Sequence, residues 1–210
     1  ASFNRGVEFG LLLTVPAAVA LVVIAMPLTE VLYQRGAFGP DDTAATALAL
    51  AIYGAGLPAF VLHKVLQPLY YAREDSRSPF RFAVVSMVVN AALAFGLMPV
   101  IGFAAAALAT TLAGWIMAAQ LWFGSRRMGD EARLDARMRQ RLPRIIAAAL
   151  GMGAVLWLAA LLLGPALSSP GWRYSALAAL VAAGVLSYGG IGLAIGALRL
   201  SDLRQLRRQR

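Results

Sequence analysis

Six long runs of apolar side chains, separated by short polar or basic segments, leave this chain few ways to fold. They extend roughly from Phe9 to Leu28, Ala44 to Ala72, Phe82 to Met98, Phe103 to Phe123, Ile145 to Leu167 and Tyr174 to Leu198. Most are near the length of about 20 residues that, at about 1.5 Å each, carries a helix across about 30 Å of hydrocarbon. The run from Phe82 to Met98 is the shortest. With 60% hydrophobic residues, 14% charged residues and a mean hydropathy of +0.70, the chain lies outside the composition of soluble domains. Lipid offers no water to satisfy backbone amides, so such segments cross as helices. The expected fold is all-α, a polytopic membrane helix bundle with about six transmembrane helices.

The formal charge of +9 invites a nucleic-acid reading, but the placement of the charge points to topology. Sixteen of the 19 Lys/Arg sit in segments that alternate helix ends put on one side: Arg5; Arg73, Arg77 and Arg81; seven arginines from Arg126 to Arg144; and five from Arg199 to Arg210. Arg35 and Arg173 fall on the other side. The positive-inside rule then places both termini in the cytoplasm. The same residues are expected to meet anionic phospholipid headgroups, and no nucleic acid.

Four organisational units follow. Residues 1–125 hold four transmembrane helices, 126–144 a basic amphipathic cytoplasmic connection, 145–199 two further transmembrane helices and 200–210 a basic cytoplasmic tail. In the connection, Leu134, Met138 and Leu142 recur every four residues among arginines. That is the pattern of a helix lying on headgroups, with a solvated charged linker as the alternative. In the first outer loop, Thr29 to Thr43, Gly39-Pro40 breaks the first helix and Asp41 or Asp42 caps the second. Met98 to Gly102 reads as a tight uncharged connection, and Pro79 suits the first turn of the third helix. The Gly189, Gly190, Gly192 and Gly196 run invites close packing of the last helix within the same chain.

The chemistry-bearing residues are sparse. There is no cysteine, His63 is the lone histidine, and no carboxylate lies inside an apolar run; Glu8, at a helix entrance, is expected in the interface. No metal-ligand spacing or phosphate-cradling loop appears, so no catalytic residue, metal site or cofactor is expected, nor an enzyme. His63 reads as a packing residue, and Asn90, Thr110, Thr111 and Gln120 as interhelical hydrogen-bonding groups. Lys64 is different. A lysine well inside a spanning helix costs roughly 2.5 to 3.5 kcal/mol on insertion scales, and is tolerated where it faces protein, water or an anion. Two placements satisfy it: snorkelling toward a carbonyl or carboxylate partner, or a cavity-facing role in anion binding, with Gln67 adding a donor nearby. Gly54, Gly56 and Pro58 interrupt the same helix, and Pro58 predicts a kink.

Three stretches carry a resemblance. Leu32-Tyr33-Gln34-Arg35-Gly36-Ala37-Phe38, then Tyr53-Gly54-Ala55-Gly56-Leu57-Pro58-Ala59-Phe60, then Lys64-Val65-Leu66-Gln67-Pro68-Leu69-Tyr70-Tyr71-Ala72-Arg73-Glu74-Asp75-Ser76-Arg77-Ser78-Pro79 resemble the MurJ/MviN family of bacterial lipid II flippases. The third is the most specific, and the match is strongest over residues 5 to 125. The resemblance implies the C-terminal lobe of an exporter-type flippase plus two extra helices, in the bacterial inner (plasma) membrane. The N-terminal lobe of the same protein would be a partner lying outside this chain. It further implies lipid II, an undecaprenyl-pyrophosphate-linked precursor of peptidoglycan, as substrate, moved between leaflets by alternating access. Lys64 would then attract the pyrophosphate, Gln67 would assist, Gly54, Gly56 and Pro58 would let the helix bend, and the last two helices would line a groove for the lipid tail. A related polysaccharide-unit or drug exporter, or a non-transporting membrane anchor or assembly subunit, are the competing expectations.

Overall fold

A computed structural model describes residues 2–128, 136–169 and 171–197. The described residues are helical, with no strand: α1 (Ser2–Val23), α2 (Ala25–Tyr33), α3 (Pro40–Tyr71), α4 (Arg77–Ile101), α5 (Ala104–Ser125), α6 (Ala136–Leu167) and α7 (Arg173–Ala194). A single 3-10 turn, Arg126–Met128, follows α5. Six of these helices, all but α2, are long and apolar enough to cross a membrane, which agrees with the six-span, all-α expectation.

Several boundaries differ from the sequence reading, and proline chemistry explains most of them. Pro27 has no N–H to give the carbonyl of Val23, and the first crossing breaks at Ile24 before resuming as α2. Helix then continues to Tyr33, so the first outer loop is shorter than Thr29 to Thr43. Asp42 performs the expected capping, its Oδ2 accepting from the Gly39 amide at 3.0 Å, while Pro40 takes the first helical position. Pro99 is absorbed into the last turn of α4, which makes the shortest apolar run a 25-residue helix and leaves Gly102-Phe103 as the connection. Residues 136–144 continue directly into α6, with Met138 buried against Val7 and Leu11 of α1 instead of facing headgroups. Residues 129–135 of the basic connection, and the tail from 200 to 210, lie outside the described residues.

Contacts along the helices fix their directions. A Cβ on Gly6 or Gly10 of α1 would lie 3.3 or 2.9 Å from Val65 or Val61 of α3, and one on Gly54 would lie 2.7 Å from Leu21 Cβ, so α1 and α3 run antiparallel. Thr111 and Trp115 of α5 reach Ile52 and Ala55 of α3 while Tyr70 reaches Leu121, so α3 and α5 run parallel. Asn90–Thr110 and Ser86–Gln120 contacts set α4 antiparallel to α5. The α6–α7 hairpin closes where Gly151 meets Ile191 and Gly184 meets Leu156, and it packs on α1 and α2. The close approaches therefore use Gly151 and Gly184, each with a Cβ position 3.0 Å from a side chain of the facing helix; Gly189 and Gly190 have open space beside them. One end of the bundle thus collects Arg73, Arg77, Arg81, Arg126 and Arg141, and is called the basic end below.

Candidate functional site on α3

The 32 residues of α3 rise about 48 Å, well over one straight crossing. Its two flanks are occupied. On one, Gly54, Val61 and Val65 pack against α1. On the other, a ladder of side-chain hydrogen bonds to backbone joins α3 to α5: from α5, Thr111 Oγ1 donates to the Ile52 carbonyl at 2.9 Å and Trp115 Nε1 to the Ala55 carbonyl at 3.1 Å, and from α3, Tyr70 Oη donates to the Leu121 carbonyl at 2.6 Å. His63 Nε2 lies 2.6 Å from the Gly114 carbonyl, which requires that nitrogen to carry the proton. The lone histidine is thus an interhelical donor, in line with its packing role.

The ladder brackets Pro58. A buried proline withholds its amide from the carbonyl four residues earlier, and here the neighbouring carbonyls of Ile52 and Ala55 take donors from α5. Gly56 and Gly114 make room for the Phe60 ring, which would lie 2.9 and 2.7 Å from a Cβ at those positions. The two glycines of the expected hinge therefore sit at contact points: Gly54 on α1, Gly56 on Phe60 and Thr111 of α5. Helix is continuous through Pro58.

Lys64 is centred on the arc that neither neighbour covers. At 100° per residue, Tyr53, Leu57, Pro68 and Tyr71 fall within about 40° of it. Lys64, Tyr53, Pro68 and Tyr71 are exposed, and Gln67, at the edge of the arc, is half-buried. Among the described residues the Lys64 ammonium has no hydrogen bond or ion pair. Pro68 also withholds the amide that the Lys64 carbonyl would receive. Lys64 thus points away from the interior of these six helices, on an open face it shares with Gln67.

Past Lys64 the helix is stopped by local chemistry. The Asp75 amide returns to the Tyr70 carbonyl at 3.0 Å around Glu74, whose φ of +59° is in the left-handed region. Asp75 Oδ1 then accepts from the Ser78 amide at 2.9 Å and caps α4. Hydrogen bonds from Ser78, first its side chain and then its amide, hold the Asp75 carboxyl below the usual carboxylate range, with Arg81 adding a smaller pull.

Two features escaped sequence reading. Glu8 is buried at 8% exposure, paired with Arg141 of α6 at 3% exposure. The continuation of α6 alongside α1 brings a guanidinium to a carboxylate that was expected in the interface. The other is Tyr188 of α7, whose hydroxyl donates to the Leu12 carbonyl at 2.8 Å. Its signal was present: Pro16, four residues after Leu12, leaves that carbonyl without a helical donor.

Comparison with known proteins is decisive for the family. The family model described as lipid II flippase MurJ matches residues 1–171. The chain belongs to the MurJ lipid II flippase family. It is 41% identical over 205 residues to the "Probable lipid II flippase MurJ" of Rhizobium meliloti (strain 1021), covering 96% of this chain and 38% of that protein. It is 43% identical over 155 residues to the protein of the same description from Rhizobium tropici, covering 74% and 29%. A solved structure, lipid II flippase MurJ in an inward closed conformation, superposes with a TM-score of 0.74 at 24% identity. It covers 96% of this chain and 39% of that one, and shares the fold. The chain therefore spans under two-fifths of the length of these MurJ relatives. The family is one of flippases and not a catalytic one.

Proposed function

We propose that this chain is the C-terminal part of a lipid II flippase of the bacterial inner membrane, and that it works with an N-terminal lobe to move the precursor from the inner to the outer leaflet by alternating access. The basic end faces the cytoplasm, where its arginines meet anionic headgroups. The open arc of α3 faces the cavity between lobes. Lys64 supplies positive potential for the pyrophosphate there, with Gln67 as an added donor, and the Gly54, Gly56 and Pro58 segment lets α3 bend as the cavity opens and closes. Metal, cofactor and catalytic group have no part in this scheme.

The observation that carries the reading is the exposure of Lys64 on a face flanked by α1 and α5. A dry lysine paired to a carbonyl would favour a membrane anchor, and an unpaired carboxylate in the bundle would favour a drug antiporter; Lys64 is exposed, and Glu8 is paired with Arg141. An apolar cavity of about 240 Å³ between α1, α6 and α7, lined by Leu12, Pro16, Met152, Leu156, Val181 and Tyr188 among others, is a place for part of the lipid tail.

The test is accessibility in the full-length protein in cells. Lys64→Cys is expected to react with a membrane-impermeant thiol reagent, while Leu48→Cys, also exposed but on the opposite side of α3, is not. Equal protection of both positions would contradict a wet cavity at Lys64.

A further inference from the structure

We propose that Glu8, Arg141 and Tyr188 form a clasp at the basic end that holds the α6–α7 hairpin against α1, and that the hairpin swings about its opposite end when the clasp opens. The clasp requires only the packing, not lipid II transport.

The hairpin moves as a unit because α6 and α7 interlock, with Gly184 against Leu156 and Gly151 against Ile191. Its two attachments to α1 and α2 differ in their polar content. Far from the basic end, Ile24, Val31, Met152, Leu156, Leu167 and Leu180 form one buried apolar cluster. There Gly153 sits so close to Val19 that a Cβ would approach its Cγ1 to 2.6 Å. The apolar cavity between α1, α6 and α7 borders this cluster, with Ile24, Met152 and Leu156 on its wall, and extends toward the basic end as far as Leu12 and Tyr188. At the basic end Met138 and Ile145 of α6 pack on α1, and two bonds join the hairpin to α1, Tyr188 to the Leu12 carbonyl and, one turn further along α1, Glu8 to Arg141.

In lipid, apolar contact between helices has no hydrophobic driving force, so attachment depends on close packing and on interhelical hydrogen bonds. Both ends are packed, the basic end through Met138 on Val7 and Leu11 and through Ile145 and Ala148 beside Leu12 and Val15. Among the described residues, however, it is the basic end that adds the two bonds, whose buried polar groups cannot stay dry once a partner is lost. Each bond also answers a need that only the docked hairpin meets. Pro16 leaves the Leu12 carbonyl without its amide, and the Glu8 carboxylate is buried against Arg141. Loss of either partner leaves a buried polar group exposed to lipid or open to water. Water enters most easily on the headgroup side, which is where the clasp lies.

Cross-linking tests this in the full-length protein. The 210 residues contain no cysteine, so any elsewhere are replaced and two reporter pairs are introduced separately. One is Val7→Cys with Met138→Cys, buried together at the clasp; the other is Val19→Cys with Gly153→Cys, at the pivot. Glu8→Gln is expected to lower oxidative cross-linking of the clasp pair by more than about tenfold, because it leaves the Arg141 charge without its buried partner, while the pivot pair still cross-links. Tyr188→Phe, which preserves volume and charge, is expected to lower the clasp pair by a smaller factor. Joint reversal, Glu8→Arg with Arg141→Glu, restores it. The proposal is overturned if the clasp pair cross-links undiminished in both single variants, if the two pairs fall together, or if the reversal restores nothing.

Discussion

The indole of Trp115 donates to the Ala55 carbonyl at 3.1 Å, three residues before Pro58. The bond ties α5 to α3 beside the proline, and Thr111 one turn earlier does the same at Ile52. Trp115→Phe removes the donor while retaining most of the ring. Interhelical bonds of this kind contribute about 0.6 kcal/mol on average and up to about 1.7. A small fall in the thermal midpoint of the detergent-solubilised full-length protein is expected, and Thr111→Val on top of it deepens the fall more than additively, because both bonds serve one segment.

Close helix approach sets a second expectation. Gly54→Ala and Gly114→Ala each place a methyl at 2.7 Å, the first on Leu21 Cβ near its backbone, the second on the Phe60 ring. Overpacking of this sort costs about 1–3 kcal/mol. Phe60→Leu is expected to rescue Gly114→Ala. No such relief exists for Gly54→Ala, since a Cβ cannot turn aside. Gly96→Ala, with open space around it, serves as the control. Thermal denaturation of the four variants checks the ranking.

The turn after α3 carries an unusual backbone. Glu74 holds a φ of +59°, a region that costs a non-glycine residue about 1 to 2 kcal/mol. Glu74→Gly is expected to raise stability by up to about 1 kcal/mol, because the gain is partly offset by the greater freedom of glycine in the unfolded chain. A lowered thermal midpoint for this variant would mean that the Glu74 side chain contributes more than its backbone costs.

Acid weakens the adjoining cap in a defined direction. The folded-state pKa of Asp75 is lowered, chiefly by Ser78, so its contribution is fully present above the ordinary carboxylate value of about 3.9. It is lost as pH falls through the depressed folded value. Protection of the Ser78 amide against hydrogen exchange, corrected for intrinsic rate, should follow this course, and Asp75→Asn should flatten it. Protection that survives full protonation would show that another group holds the Ser78 amide.

Much of the architecture was legible because membrane spanning is written in composition. Apolar runs of sufficient length, bounded by arginines, specify helices whatever their neighbours. Pro40 and Asp42 marked the start of α3 for the same local reason. The ends that depended on tertiary contact were not legible. Helix passes through Pro99 and resumes after Ile24, and residues 136–144 join α6 with Met138 against Val7 and Leu11. Nothing in the spacing of Leu134, Met138 and Leu142 distinguishes a headgroup surface from another helix, since both accept an apolar stripe. At the candidate site, sequence identified Lys64 as anomalous but not its direction. That required knowing that α1 takes the Val61 and Val65 flank and α5 the Ala55 and His63 flank. The Glu8–Arg141 pair joins residues 133 apart in the chain, a separation over which one sequence carries no pairing signal.

The most direct measurement of the central claim is lipid II translocation by full-length protein carrying Lys64→Ala, in cells depleted of their own flippase and at normal expression. Flipping is expected to fail or fall severely with Lys64→Ala and to be largely retained with Lys64→Arg, which keeps the positive charge. Flipping by Lys64→Ala at the unaltered rate, with growth sustained, would contradict a role for Lys64 in holding the pyrophosphate.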